Sequence, residues 1–442
     1  MKKLKTINFS QFFIVYILIQ PILDVLTSLF VRNISSSLTI GVFVRTIFMA
    51  ITVIYSLVAT NKKHKTKLLI YYILLAVYSI IYTILCISNT GTSMILVEMK
   101  GLVKTLYLPV VLASLFALYK SEKIKINPKH LVYSLFGYCL IIVVAKYFNL
   151  GYSSYVYGSK EGTVGLFFAA NEIGAILAIL SPFLFITNRS SKQNNFYLLV
   201  YILLICSVLE LGTKVPFLAF MALLVINIII NIYRIFILKE KTYTKNVAIG
   251  FISLVFIFLI IGITPIGKNL NINFIAQKQE PIINENIENN IIEKPSENTV
   301  GTFQGDMISG RGNFFNTNYK EYTNSKSTEL LFGTSYLTVN NNNLQEKKLV
   351  EMDFFDVFFN HGLIGFVLIL GPLFLLTIYI IIKNLKYFKN ILKEPERLIY
   401  IYAYFIGLAI SFISGHTLVA PAVSIFVIIS LILNIQLIET KE

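Results

Sequence analysis

The chain has no tryptophan, three cysteines and four histidines among 442 residues, and only 14% of it is charged, against about 25% in soluble domains. Each shortage excludes something. So little charge beside 56% hydrophobic residues excludes a soluble globular protein. Cys86, Cys139 and Cys206 sit in separate apolar stretches, so neither a disulfide framework nor a CxxC metal site is available. There is no GxxxxGK[ST] loop, no GxGxxG after a strand, no HExxH and no His and Cys at ligand spacing. An ATP-driven pump and a resident metal or cofactor are therefore without a motif. His64 and His130 fall in polar connections, while His361 and His416 are more often core or interfacial histidines than catalysts. No nucleophilic Ser or Cys with a His partner can be argued.

What is present is a succession of apolar runs. A window of about 19 residues finds roughly twelve of them, near 10–31, 38–59, 68–88, 101–119, 131–150, 165–187, 196–211, 214–237, 247–265, 354–382, 398–415 and 418–438. Each is close to the length an α-helix needs to cross a bilayer. The shortest connections are those around Gly212 and Gly415. The basic start, with Lys2, Lys3 and Lys5, precedes an apolar run that lacks a small-residue cleavage site, which reads as a retained first span rather than a removed signal. The fold expected is an all-α polytopic membrane protein with about twelve transmembrane helices. Abundant Asn, Ile and Lys point to an AT-rich, low-GC bacterial genome.

Charge orients the chain. Lys62, Lys63, Lys65 and Lys67, then Lys120, Lys123, Lys125 and Lys129, then Arg189 and Lys192 share one set of connections. Arg234, Lys239, Lys241, Lys245, Lys383, Lys386, Lys389, Lys393 and Arg397 continue it. The opposite short connections hold only Arg32, Lys100, Lys160 and Lys214. The positive-inside rule puts the first set, and both termini, in the cytoplasm. Topology thus accounts for the net charge of +15, and a nucleic-acid partner is not needed. Three regions follow: spans one to nine (1–266), one large extracellular loop (267–350), and spans ten to twelve (351–442). In the loop, Asn269 to Val300 has no period and reads as irregular. Phe314, Phe315, Asn318, Tyr319 and Tyr322 recur at helical spacing, as in an amphipathic helix at the membrane surface.

Polar residues gather at the outer ends of spans. The richest stretch is Val350 to Gly365, where Glu351 precedes Asp353, Asp356 and Asn360 at i, i+3 and i+7. Such carboxylates face water, a cation or the bundle interior, although acids also favour a helix N-terminus. Arg311 can clamp a phosphate or pyrophosphate, or make an interfacial ion pair. Lys214 stands in a tight hairpin near Glu210 and would serve the same anion or that acid. Arg45 and Lys104 could contribute to the anion site or neutralise Asp24 or Glu98. Asn171 and Glu172 open the sixth run; Glu172 also fits a helix-start acid. With His416, these complete the candidate substrate contacts.

In this order the chain resembles the O-antigen ligase and polymerase superfamily of polytopic, GT-C-like glycosyltransferases. The matching pieces are Gly165 to Glu172, Gly212-Thr213-Lys214, Ser309-Gly310-Arg311, Leu330 to Gly333 and VEMDFFDVFFNHGLIGF at re-entry. Two positions depart from the family pattern: Glu351 stands where a His is usual, and Lys214 replaces a frequent Arg. The resemblance implies a donor glycan on undecaprenyl pyrophosphate and an acceptor on a second lipid-linked repeat unit at the outer membrane face. Glu351, helped by Asp353, would orient or deprotonate the acceptor, and Arg311 and Lys214 would stabilise the departing pyrophosphate, without metal or cofactor. A carboxylate at the His position and a Gram-positive source favour a polymerase, assisted by a flippase and a chain-length regulator. The alternatives are a ligase delivering finished glycan and a flippase or transporter, which would show internal repeats and mid-membrane polar residues.

Overall fold

The computed structural model describes residues 9–34, 39–92, 94–155, 160–186, 191–240, 243–278, 311–340, 343–386 and 394–440. The basic N-terminus, Arg189, Lys241, Lys389, Lys393, Ser309-Gly310, Asn341, Asn342 and residues 279–300 lie outside them. Helices α1 (Phe9–Leu18), α2 (Gln20–Ile34), α3 (Ile40–Ala59), α4 (Lys62–Thr90), α5 (Ile95–Lys120) and α6 (Lys129–Tyr147) come first. A hairpin of β1 (Tyr152–Ser153) and β2 (Thr163–Gly165) precedes α7 (Ala170–Leu180), α8 (Ser191–Leu211), α9 (Lys214–Phe236), α10 (Thr244–Ile260) and α11 (Pro265–Lys278). Then follow α12 (Arg311–Thr323), α13 (Ser327–Phe332), the hairpin β3 (Leu337–Asn340) and β4 (Asn343–Glu346), α14 (Asp353–Lys386), α15 (Pro395–Ile413) and α16 (Pro421–Thr440).

Apolar runs become helices because a helix satisfies its own backbone where no water can. Among the described residues nine helices are long and apolar enough to cross a membrane, and ten if α1 and α2, bent by 51°, are one span. The protein is therefore an all-α, multi-pass membrane protein. The sixth and eleventh expected runs are shorter apolar segments, Ala170–Phe185 and Arg397–Ile413. The sixth is short because Gly165, expected to open it, is instead paired with Tyr152 in the β1–β2 hairpin.

Burial separates helices that hydropathy cannot. In α16, 89% of the apolar window is buried, in α5 61%, and in the α10 region 17%. The central pair α5 and α16 pack on each other, with α3, α4 and α14 around α5 and α7 and α15 against α16. Small and polar residues let the inner helices close: Ser430 Oγ bonds the Phe426 carbonyl, and Asn434 Nδ2 bonds the carbonyls of Tyr400 and Ser430.

The basic helix ends collect at one end of the bundle, where Asn61 meets Ser121 and Lys120 pairs with Glu439. The opposite end carries both hairpins and α11 to α13. There, residues 269–278 belong to α11, which corrects the irregular reading from Asn269 onward. Asn269 is buried because it acts as a clasp: its Nδ2 donates to the carbonyls of Glu161 (2.7 Å) and Gly212 (2.8 Å), and its Oδ1 accepts the Glu161 N–H (2.8 Å). Gly212, at φ 71°, is required at that turn, since a Cβ would stand 2.3 Å from the Glu161 carbonyl oxygen. The aromatic helix exists as α12. Its Phe315 and Tyr322 pack on Phe355, Phe358 and Phe359 of α14, while Tyr319 is exposed.

Candidate functional site

Gly362 organises the site end of α14. At φ 66° it breaks the helix into an outer piece, 353–361, and an inner piece, 363–386. In an unbroken helix the Phe359 carbonyl would accept a later N–H of the same helix. Here it accepts the N–H of Thr334, at 3.0 Å. Gly333, at φ 108°, fits against this break: a Cβ there would lie 1.9 Å from the Asn360 carbonyl oxygen, and one on Gly362 2.5 Å from the Gly333 nitrogen. The Leu-x-x-Gly turn and the Gly-Leu-Ile-Gly stretch are two halves of one backbone contact.

His361 pins that contact to the bundle. It is fully buried, with Nδ1 3.1 Å from the Tyr78 hydroxyl and Nε2 2.9 Å from the Tyr336 hydroxyl. Tyr336 also meets Thr105 Oγ1 (2.7 Å) and donates its N–H to Glu98 (2.9 Å). Gly101 leaves room for the Tyr336 ring, which a Cβ would meet at 2.5 Å.

Against Tyr336 lies a cavity of about 430 Å³ between α2, α3, α5, α7, α14 and the start of α16. Arg45, Lys104, Asp356 and His416 all line it, with Asp24, Glu172 and Asn360. Arg45 is committed to the acid suggested for it: its guanidinium bonds Gln20 Oε1 (2.9 Å) and pairs with Asp24, which also accepts the Tyr138 hydroxyl (2.6 Å). Lys104 and Glu172 make no hydrogen bond or ion pair among the described residues, and Asn360 Oδ1 is buried without a hydrogen-bond partner there. Those groups are available to a polar ligand. Lys347, which also lines the cavity, has a side chain only 3% exposed and is held by Glu321 (3.2 Å) and Thr334 Oγ1 (2.9 Å). Burial holds its ammonium below the usual lysine range, with Glu321 opposing.

Asp353 is an anchor. Its buried carboxylate accepts the backbone N–H groups of His416 (2.7 Å), Thr417 (2.8 Å) and Leu418 (2.6 Å), fixing the turn between α15 and α16. Asp356 does the same for the N–H groups of Val350 (2.8 Å) and Met352 (3.1 Å). These two carboxylates thereby hold Glu351 and His416 where they are. Both residues adopt left-handed backbone, at φ 64° and 56°, a conformation costing a non-glycine residue roughly 1 kcal/mol. Gly415 makes room between them, since a Cβ there would stand 2.3 Å from the Glu351 carbonyl oxygen.

Glu351 and Arg311, neither of which lines the cavity, pair at 3.2 Å, and Lys348 reaches the other Glu351 oxygen at 3.1 Å; Glu351 follows two residues after Leu349, which does line it. Partial burial opposes ionisation of Glu351, but Lys348, His416 and Arg311 together hold its carboxyl below the usual carboxylate range. Arg311, buried among α12 and α14 contacts, has its Nε without a hydrogen-bond partner among the described residues. Two expected contacts stand elsewhere. Lys214 opens α9 beside the Gly212 turn, and Asn171 is exposed at the start of α7; neither lines the cavity. Glu210 pairs with Lys146 at 3.2 Å.

Sequence reasoning did not single out Lys347 or Tyr336. Lys347 looks like one lysine of an exposed Lys-Lys pair, and only the fold shows that it points inward while Lys348 points out.

A family model described as O-antigen ligase like membrane protein matches residues 7–441, and the chain belongs to that family. No curated protein matches it.

Proposed function

We propose that this member of the O-antigen ligase-like family polymerises glycan repeat units carried on undecaprenyl pyrophosphate, at the outer face of the cytoplasmic membrane. Membership itself suggests a membrane enzyme of polysaccharide assembly that transfers a glycosyl group from a lipid-linked glycan. The finer reading is supported by the Arg311–Glu351 pair, whose Glu351 stands two residues along the chain from Leu349 of a cavity whose walls hold Lys104, Glu172 and Asn360 without hydrogen-bond partners of their side chains within the described protein. The basic ends of the bundle are cytoplasmic, by the positive-inside rule, which puts this pair outside.

In the reaction the acceptor hydroxyl attacks the anomeric carbon of the donor. The new C–O bond forms as the bond from that carbon to the pyrophosphate oxygen breaks, and the lipid pyrophosphate leaves with the electron pair. Glu351 accepts the hydroxyl proton. Arg311 stabilises the negative charge on the leaving group, and Lys214, at the start of α9, adds positive potential to it. Lys104 adds positive potential from the cavity wall, while Arg45 is neutralised by Asp24, and Asp353 and Asp356 act as positioning residues. A pyrophosphate leaving group is good enough that neither metal nor nucleotide is required.

Cell-surface polysaccharide from a deletion strain complemented with wild type or with equally expressed Glu351→Gln tests the reading. Single repeat units left on lipid carrier in both the deletion and the mutant support it. Long polymer that stays on carrier would instead make the chain a ligase, and repeat units accumulating on the cytoplasmic side would make it a flippase. Arg311→Ala should likewise abolish elongation while the protein remains folded; normal polymer length would remove Arg311 from the mechanism.

A further inference from the structure

A second cavity, of about 520 Å³, lies at the other end of the bundle, where the start of α8, the end of α9 and the start of α10 converge. Its walls differ chemically from those of the first. They carry Arg234 and Lys245, five asparagines (Asn194, Asn195, Asn227, Asn231 and Asn246), and no carboxylate. The rest is apolar or aromatic, including Leu198, Tyr201 and Ile249.

Arg234 is held as a preformed receptor. It is 8% exposed; its Nε is bonded to Glu240 Oε2 at 2.7 Å, and its guanidinium lies 3.7 Å over the Tyr243 ring. These contacts fix the plane of the group and leave Nη1 buried with no hydrogen-bond partner among the described residues. A buried, unsatisfied donor on a cation is expensive, and a planar guanidinium matches a phosphate edge. Leu198 and Ile249, 50% and 46% exposed, extend the cavity onto the apolar flank of the bundle.

We propose that this cavity binds an anionic glycerophospholipid, with its phosphodiester on Arg234 and Lys245 and its acyl chains along α8 and α10. An anion is selected because the lining itself holds Lys245, the unbonded Nη1 of Arg234 beside its Glu240 pair, and no acid, and a lipid is selected because the polar floor opens onto an apolar wall. Basic pockets between spans at the cytoplasmic side commonly take such headgroups. The site is separate from the Arg311–Glu351 pair and does not depend on the reaction assigned to it.

The absence of tryptophan makes the test direct. Ile249→Trp, reconstituted in phosphatidylcholine nanodiscs, should be quenched more strongly by brominated phosphatidylglycerol than by brominated phosphatidylcholine. Adding Arg234→Gln should raise the phosphatidylglycerol fraction needed for half-quenching by roughly tenfold, as expected for a lost charge-assisted contact. Lys245→Gln, at an exposed position that does not endanger folding, should raise it about threefold, in keeping with a weaker, solvated contact. Equal quenching by the two lipids, or no change with both substitutions, would overturn the proposal. So would loss of the phosphatidylglycerol preference in millimolar inorganic phosphate, which would make a soluble phosphate the ligand.

Discussion

The two pieces of α14 are one apolar helix in sequence and two different objects in space. The outer piece, before Gly362, buries Asp353, Asp356, Asn360 and His361, and gives its carboxylates and carbonyls to backbone outside the helix. The inner piece exposes Leu363, Val367, Leu375, Ile378, Ile382 and Leu385, and Thr377 makes its side-chain bonds to Leu373 and Tyr404. A single left-handed glycine separates a segment that grips other parts of the chain from one whose outward face is apolar. Polarity at a span end is therefore informative here because it is spent on other parts of the chain.

The comparison can be broken most severely at the junction. Gly362→Ala puts a Cβ at φ 66° and 2.5 Å from the Gly333 nitrogen, so it should cost about 3 kcal/mol or more. We expect loss of both surface polymer and a monodisperse chromatographic peak; a folded, active variant would show the break to be dispensable. Asp353→Asn replaces an oxygen acceptor of a carboxyl that takes three N–H groups and should lower stability by about 3 kcal/mol, read as earlier thermal unfolding in detergent. Activity should fall with it, because the His416 turn loosens.

Proton linkage sharpens the contrast between Glu351 and the anchoring acids. Its folded pKa is depressed, so its contribution to stability is present above the unfolded value of about 4.3 and is lost as pH falls through the folded pKa. As the base, it should give transfer an acid limb below about pH 4.3, where a histidine would place one near 6.5. Initial rates with purified protein between pH 4 and 8 decide between them, and a limb near neutrality would shift the base to another group. The smallest effect belongs to the inner piece: Leu375→Ala, at a side chain 70% exposed, should stay within about 0.5 kcal/mol of wild type, with polymer length unchanged.

Much of this was legible in the chain. Apolar length gave the spans, since in a bilayer helix is the only local answer, and the re-entry motif pointed to the acids at the start of α14. Arg45, Lys104, Asp356 and His416, 371 positions apart at their extremes, do share one cavity. What the chain could not reveal was how each acid is used. Asp353 and Glu351 are two residues apart and chemically alike, yet one is sealed under three N–H groups and the other faces two cations. That difference is made by the α15–α16 turn and by α12, both distant in sequence. The clasp at Asn269 was hidden for the same reason, inside a polar stretch whose composition resembles the residues beyond it.

The burial of α16 has a bearing on how the protein is made. This helix, sealed over 89% of its apolar window, leaves the ribosome after every other described helix, yet it packs against α5, α7, α14 and α15. Until it inserts, its neighbours face lipid or one another where it will later stand, and the turn that Asp353 grips does not exist. Assembly of the site therefore waits for α16, so a chain interrupted at the end of α15 would lack the turn that Asp353 grips and the His416 wall of the cavity.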